Sequence, residues 1–166
     1  IQFRSVTRHS LTELSIEARK VIARFDELCR AAIELEEALG KKTSIKIRHA
    51  DKNQSPVDLA KDQRRKLGLN GRPAGKLRNL MMNEGVRIFE LVVPKGEFAG
   101  FSYRHEEYGP CILINAKDPQ GRRNFTLAHE YAHLLYGDAP LVCEISRESK
   151  PGPSSDERSA NLFAIE

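Results

Sequence analysis

Between Asp118-Pro119 and Gly137 lies the stretch that most limits what this chain can become. Asp118 and Pro119 read as an N-cap and a proline at the first helical position. Phe125, Ala128, Ala132 and Leu135 mark one apolar stripe, and Gly137 closes the segment. The punctuation predicts a helix, and inside it stands His129-Glu130-Tyr131-Ala132-His133. Histidines four apart on a helix are about 40° apart in projection and one turn apart in rise, so both imidazoles can meet one metal ion. Glu130 lies about 100° round from His129, placed to reach a water at the metal rather than the metal itself. Such a pattern points to hydrolysis. The plainer alternative is two ordinary histidines on an amphipathic helix.

A hydrolytic zinc site takes three protein ligands and leaves a further position open. Tyr136 and Ala139 stand where a glycine and a histidine would be needed for a third ligand soon after the helix, and no histidine follows His133. The third ligand is therefore expected to be a carboxylate, from Asp138, Glu144, Glu148, Asp156, Glu157 or Glu166. Asp138 follows too closely to swing back, and Glu144 and Glu148 sit in poorly patterned sequence. Glu157 opens a helix beginning after Ser154 or Ser155, whose Ala160, Asn161 and Ala164 form a small-residue face able to approach the histidine helix closely. Ser154-Ser155-Asp156-Glu157 reads equally as a capping box or acidic first turn, so spacing leaves both readings open.

The remaining chain sets the frame. Its 166 residues, 40% of them hydrophobic, suffice for one domain or one domain with a helical extension, and exclude a large multidomain enzyme. No apolar run approaches the ~20 residues of a membrane span and no signal-peptide core is visible, so a cytoplasmic protein is expected. Cys29, Cys111 and Cys143 are odd in number, distant and without a CxxC pair, which argues for buried reduced thiols. The lack of an initiator Met and an end within a helical pattern at Glu166 suggest a fragment, truncated at its C-terminus.

Ser10-Leu11-Thr12-Glu13 reads as a capping box, followed by Leu14, Ala18, Val21, Phe25, Leu28, Ala32, Leu35 and Leu39 in steps of three and four up to Gly40. That is one long helix with an apolar seam, expected to pack on its own domain; heptad spacing also permits a partner chain, leaving the oligomeric state open. Ser55-Pro56 starts a second helix that should run to about Leu67 and stop near Gly68 or Asn70-Gly71, and Gly75 to Asn83 holds a shorter one. Three strand-like runs, Val86–Val93, Glu97–Arg104 and Cys111–Asn115, suggest a small antiparallel sheet. Residues 138–155 read as a loop with a short ordered piece.

Between Lys41 and Leu80, twelve Lys/Arg oppose three Asp, a net +9 within a chain of net +4. Lys41, Lys42, Lys46, Arg48, Lys52, Arg64, Arg65, Lys66 and Arg72 can face nucleic acid or an acidic partner, though a solvated face is the simpler reading. No helix-turn-helix, RNA-binding or zinc-finger motif accompanies them.

The run Arg123–Leu135, followed in order and spacing by Glu157–Ala164 and preceded by the Cys111–Asn115 strand, resembles the ImmA/IrrE family of bacterial metallo-endopeptidases. The similarity covers about residues 56 to 166. The first 50 residues resemble linker helices of members that also carry an XRE-type helix-turn-helix domain. The resemblance implies an α+β zincin-like domain over residues 55–166, after an N-terminal long helix and basic linker over 1–54. It implies that His129, His133 and Glu157 hold the metal and that Glu130 is the general base. Zinc suits two imidazoles and a carboxylate, and Mn2+ or Fe2+ fit the same ligands. The implied substrate is an XRE-type transcriptional repressor, cleaved in a stress or mobile-element response; the alternative is a regulatory metal-binding or sensor module with little proteolytic activity. Tyr103, His105, Tyr108 and Tyr131 are conceivable oxyanion stabilisers, none of them assigned, and a sheet edge beside the active helix is a natural place for a substrate strand.

Overall fold

Cys111-Ile112-Leu113-Ile114 forms the most apolar strand, with all four side chains buried, and the rest of the fold packs on its two faces. In the computed structural model, which describes residues 14–51, 53–69, 75–137, 141–143 and 155–166, the elements run in the following order. Helices α1 (Ile16–Ala38), α2 (Pro56–Lys66) and α3 (Leu77–Asn83) precede strands β1 (Arg87–Leu91), β2 (Gly100–His105) and β3 (Gly109–Asn115). Helix α4 (Gln120–Tyr136), strand β4 (Leu141–Cys143) and helix α5 (Ser155–Ile165) follow.

The sheet order is β1-β3-β2-β4, with β1 parallel to β3, and β2 antiparallel to both β3 and β4. The fold is thus α+β, but the antiparallel sheet expected from the sequence is mixed. The Val92–Ala99 link looks like a hairpin connection, yet eight residues reach across two inter-strand gaps of about 4.8 Å. β3, the strand with most apolar surface to hide, inserts between β1 and β2. β4 falls where a loop with an ordered piece was expected.

Alternation assigns the faces. Phe101 and Tyr103 of β2 with Cys111 and Leu113 of β3 face α1, joining Ala18, Ile22, Phe25 and Cys29 in one apolar cluster. Ile112 and Ile114 face a second cluster built from α2, α3, α4 and α5. Phe25 sits edge-on to Phe89, Phe101 and Tyr103, with ring centroids 5.6–6.1 Å apart. The α1 seam therefore docks within the chain, though shifted from the expected positions: Ile22 and Cys29 are buried where Val21 and Leu28 were expected, and Leu35 and Leu39 are exposed. A helix of 23 residues is about 35 Å long and strands of five to seven residues about 20 Å, so its C-terminal turns overhang the sheet. Glu36 ties that overhang back by accepting from Nη2 of the buried Arg87 at both carboxylate oxygens, at 2.9 and 3.0 Å, and from the Thr43 hydroxyl at 2.7 Å.

Ser15 caps α1, accepting from the Ala18 N–H at 3.1 Å; the Ser10–Glu13 box lies outside the described residues. Ser55 and Pro56 start α2 as the sequence predicts, and Gly68 follows at φ 70°. At α4 the cap shifts by one residue: Pro119 is the N-cap and makes no side-chain cap bond, while Asp118 pairs with Arg122 at 3.5 Å. Gly137 closes the helix in the left-handed region, its N–H donating to the His133 carbonyl. No helix among the described residues is long and apolar enough to cross a membrane.

Candidate metal centre

α4 is buried along its C-terminal half, and His129, Glu130 and His133 are each at most 3% exposed. The Nε2 atoms of the two histidines lie 3.1 Å apart. From α5, Glu157 reaches in with Oε2 3.3 Å from His129 Nε2 and Oε1 3.4 Å from His133 Nε2. Ala160, fully buried one turn further on, is the small residue that lets α5 approach this closely. Burial would push the Glu157 carboxyl up, but hydrogen bonding and charge from His129 and His133 outweigh it and hold the group well below the usual carboxylate range.

These distances test whether a metal fits. The two Nε2 atoms 3.1 Å apart, and one carboxylate oxygen approaching each ring at 3.3 and 3.4 Å, stand near the roughly 3.3–3.4 Å between tetrahedral ligands on bonds of about 2.0–2.1 Å, and one ligand atom from each of the three residues lies within 4.8 Å of the others. Among the described residues this is the one group of three or more His, Cys, Asp or Glu side chains with converging ligand atoms. Of the other third-ligand candidates, Asp156 and Glu166 are exposed and outside the group, while Asp138, Glu144 and Glu148 lie outside the described residues.

Two partners escaped the sequence reading. Asn161 Oδ1 lies 3.1 Å from His129 Nδ1 and accepts from its N–H, which turns the Nε2 lone pair toward the cluster. The sequence marks Asn161 only as part of a small-residue face, and its i+4 spacing from Glu157 is the signal that places both on one side of the helix. Glu130, with no exposed surface, accepts a 2.7 Å hydrogen bond from the buried Ser102 hydroxyl of β2. Gly100, two residues earlier on the same strand face, makes room: a Cβ there would fall 2.5 Å from Thr126 Cγ2 and 2.7 Å from Glu130 Oε1.

None of the four conceivable oxyanion stabilisers stands beside the cluster. Tyr103 faces α1 and donates to Asp26 at 3.1 Å. His105 and Tyr108 stack on each other with centroids 3.9 Å apart, and Tyr131 turns into the helical core, its hydroxyl 3.2 Å from Gln63 Oε1. In the basic segment Arg65 pairs with Asp62, Lys66 with Glu84 and Arg78 with Glu90, so part of its charge is spent within the fold. Lys52 and Arg72 lie outside the described residues.

A mixed sheet backs a helix whose two histidines converge with a carboxylate from the next helix, a side-chain group able to hold a metal ion and of the kind found in metallopeptidase-type centres. Residues 81–166 match the Peptidase_M78 family, described as the IrrE N-terminal-like domain, and the chain belongs to that family. The ImmA/IrrE resemblance drawn from the motifs is thereby shown, and membership supports a peptidase and implies a metal. No curated protein and no solved structure matches the chain.

Proposed function

We propose that the chain is a zinc-dependent endopeptidase with a zincin-like active site, in which His129, His133 and Glu157 hold the ion and Glu130 is the general base. The observation that carries this reading is the convergence of one ligand atom from each of His129, His133 and Glu157 within 4.8 Å, beside a buried carboxylate that belongs to the same helix but not to the ligand set. An ion held by these three residues would supply Lewis acidity, which acidifies water and polarises a carbonyl. Glu130 then takes the proton from the attacking water and returns it to the leaving amine nitrogen, so that one carboxylate serves both half-steps. Asn161 orients His129. The Glu157 carboxylate contributes a negative charge that favours a divalent cation over two neutral imidazoles alone.

The substrate we infer is an XRE-type helix-turn-helix repressor in a bacterial cytoplasm, cleaved in a stress or mobile-element response; the family resemblance supports this. The test is co-expression of wild type and Glu130→Gln with a panel of XRE-type repressors, and elemental analysis of both purified proteins. Both should carry one equivalent of zinc, and only wild type should cleave a repressor. Equal behaviour of the two toward every repressor would replace the peptidase reading with that of a regulatory metal-binding module.

A further inference from the structure

Strand β2 reads Gly100-Phe101-Ser102-Tyr103, small residues alternating with aromatics. The aromatics fill the α1 face, and the small residues face α4. Ser102 is only 4% exposed and stands opposite Ile112 on one side and Leu141 on the other. A hydroxyl buried there costs stability unless it is satisfied, and its hydrogen bond goes to Glu130 Oε2 across 28 residues of sequence. Thr126 offers a second hydroxyl one turn before Glu130, yet its buried Oγ1 meets no hydrogen-bond partner among the described residues. The strand, not the helix, therefore supplies the donor. Gly100 bounds the other side of the carboxylate, so Glu130 sits between a hydroxyl that pins one oxygen and a backbone without a side chain.

We propose that Ser102 is a positioning residue for the Glu130 carboxylate, holding it in one orientation from the sheet and keeping it off the metal-ligand set. This rests on the reading of Glu130 as general base. A 2.7 Å hydrogen bond fixes the direction of the carboxyl group, and a base held to one rotamer loses no orientation in the transition state. Ser102 acts through Glu130, the acceptor of its hydroxyl.

The test compares wild type, Ser102→Ala and Ser102→Thr, each loaded with zinc, using whichever XRE-type repressor wild type cleaves. Ser102→Ala should keep one equivalent of zinc, lose about 10–100-fold in kcat and leave KM within about threefold, and Ser102→Thr, which retains the hydroxyl, should recover most of the loss. Crystal structures of the same proteins supply a readout independent of activity: Glu130 in a single rotamer in wild type and Ser102→Thr, rotated or split in Ser102→Ala. If no repressor is cleaved by any of them but the carboxylate is released only in Ser102→Ala, the positioning role stands and the peptidase reading falls. An unmoved Glu130 in Ser102→Ala, or undiminished kcat, overturns the proposal. If Ser102→Ala does not fold, Ser102→Cys, which keeps the size and weakens the donor, takes its place with the same expectations.

Discussion

Replacing Gly100 by alanine adds one methyl group where β2 and α4 approach closely. Gly100 is not among the glycines with positive φ, so backbone strain plays no part and the cost is steric. The new Cβ would lie 2.5 Å from Thr126 Cγ2, which belongs to a β-branched side chain on a buried helix, and 2.7 Å from Glu130 Oε1, whose carboxylate Ser102 already holds. Restoring an ordinary carbon–carbon separation of about 3.5 Å requires α4 to retreat by about 1 Å. Overpacking of this kind costs about 1–3 kcal/mol, which at about 2–4 °C per kcal/mol for a chain this size lowers the thermal midpoint by about 2–12 °C. Because α4 also carries His129, Glu130 and His133, the same displacement should reduce cleavage by about 100-fold. Gly121 provides the control. It is exposed in the first turn of α4 with nothing within 4 Å of a built Cβ, so Gly121→Ala should stabilise by about 0.4–1 kcal/mol. Thermal denaturation of the two variants decides the matter: a Gly100→Ala midpoint equal to wild type would refute the steric reasoning.

Asn161→Ala removes the acceptor that orients His129 and should weaken zinc binding about 10–100-fold in a competition titration against a chromophoric chelator; unchanged affinity would show that the bond does not govern the ligand. Burial pushes the Glu36 carboxyl up, but hydrogen bonds from the Thr43 N–H and hydroxyl and the Arg87 charge hold it below its ordinary 4.5. A carboxylate depressed in the folded state contributes stability that is fully present above about pH 4.5 and is lost as pH falls through the folded value. Wild type should therefore lose more stability between pH 5 and pH 3 than Glu36→Gln does, as read by urea denaturation, and parallel curves would remove Glu36 from that acid limb.

Much of the candidate site was legible because its signals are short-range. Helical periodicity sets His129 and His133 on one face whatever surrounds them, Gly137 ends their helix, and Ser55-Pro56 starts α2 by the same local chemistry. Glu157 was harder, since spacing alone could not separate a ligand from an acidic first turn; the family motif favoured it, and the packing of α5 on α4 brings its carboxylate to the imidazoles. What lay beyond the sequence shares one cause: it depends on which surfaces compete for burial once the chain collapses. β3 displaces the expected hairpin because it hides apolar side chains on both faces, and Leu35 and Leu39 stay exposed because α1 is longer than the sheet it covers. Ser102 and Asn161 reach their partners across 28 and 32 residues, and no local pattern carries such distances. Periodicity and caps thus determined which residues could be chemical, while tertiary packing alone decided which neighbours hold them in place. A helix is specified by contacts within its own turns, whereas a buried hydrogen bond is specified by everything that excludes water around it.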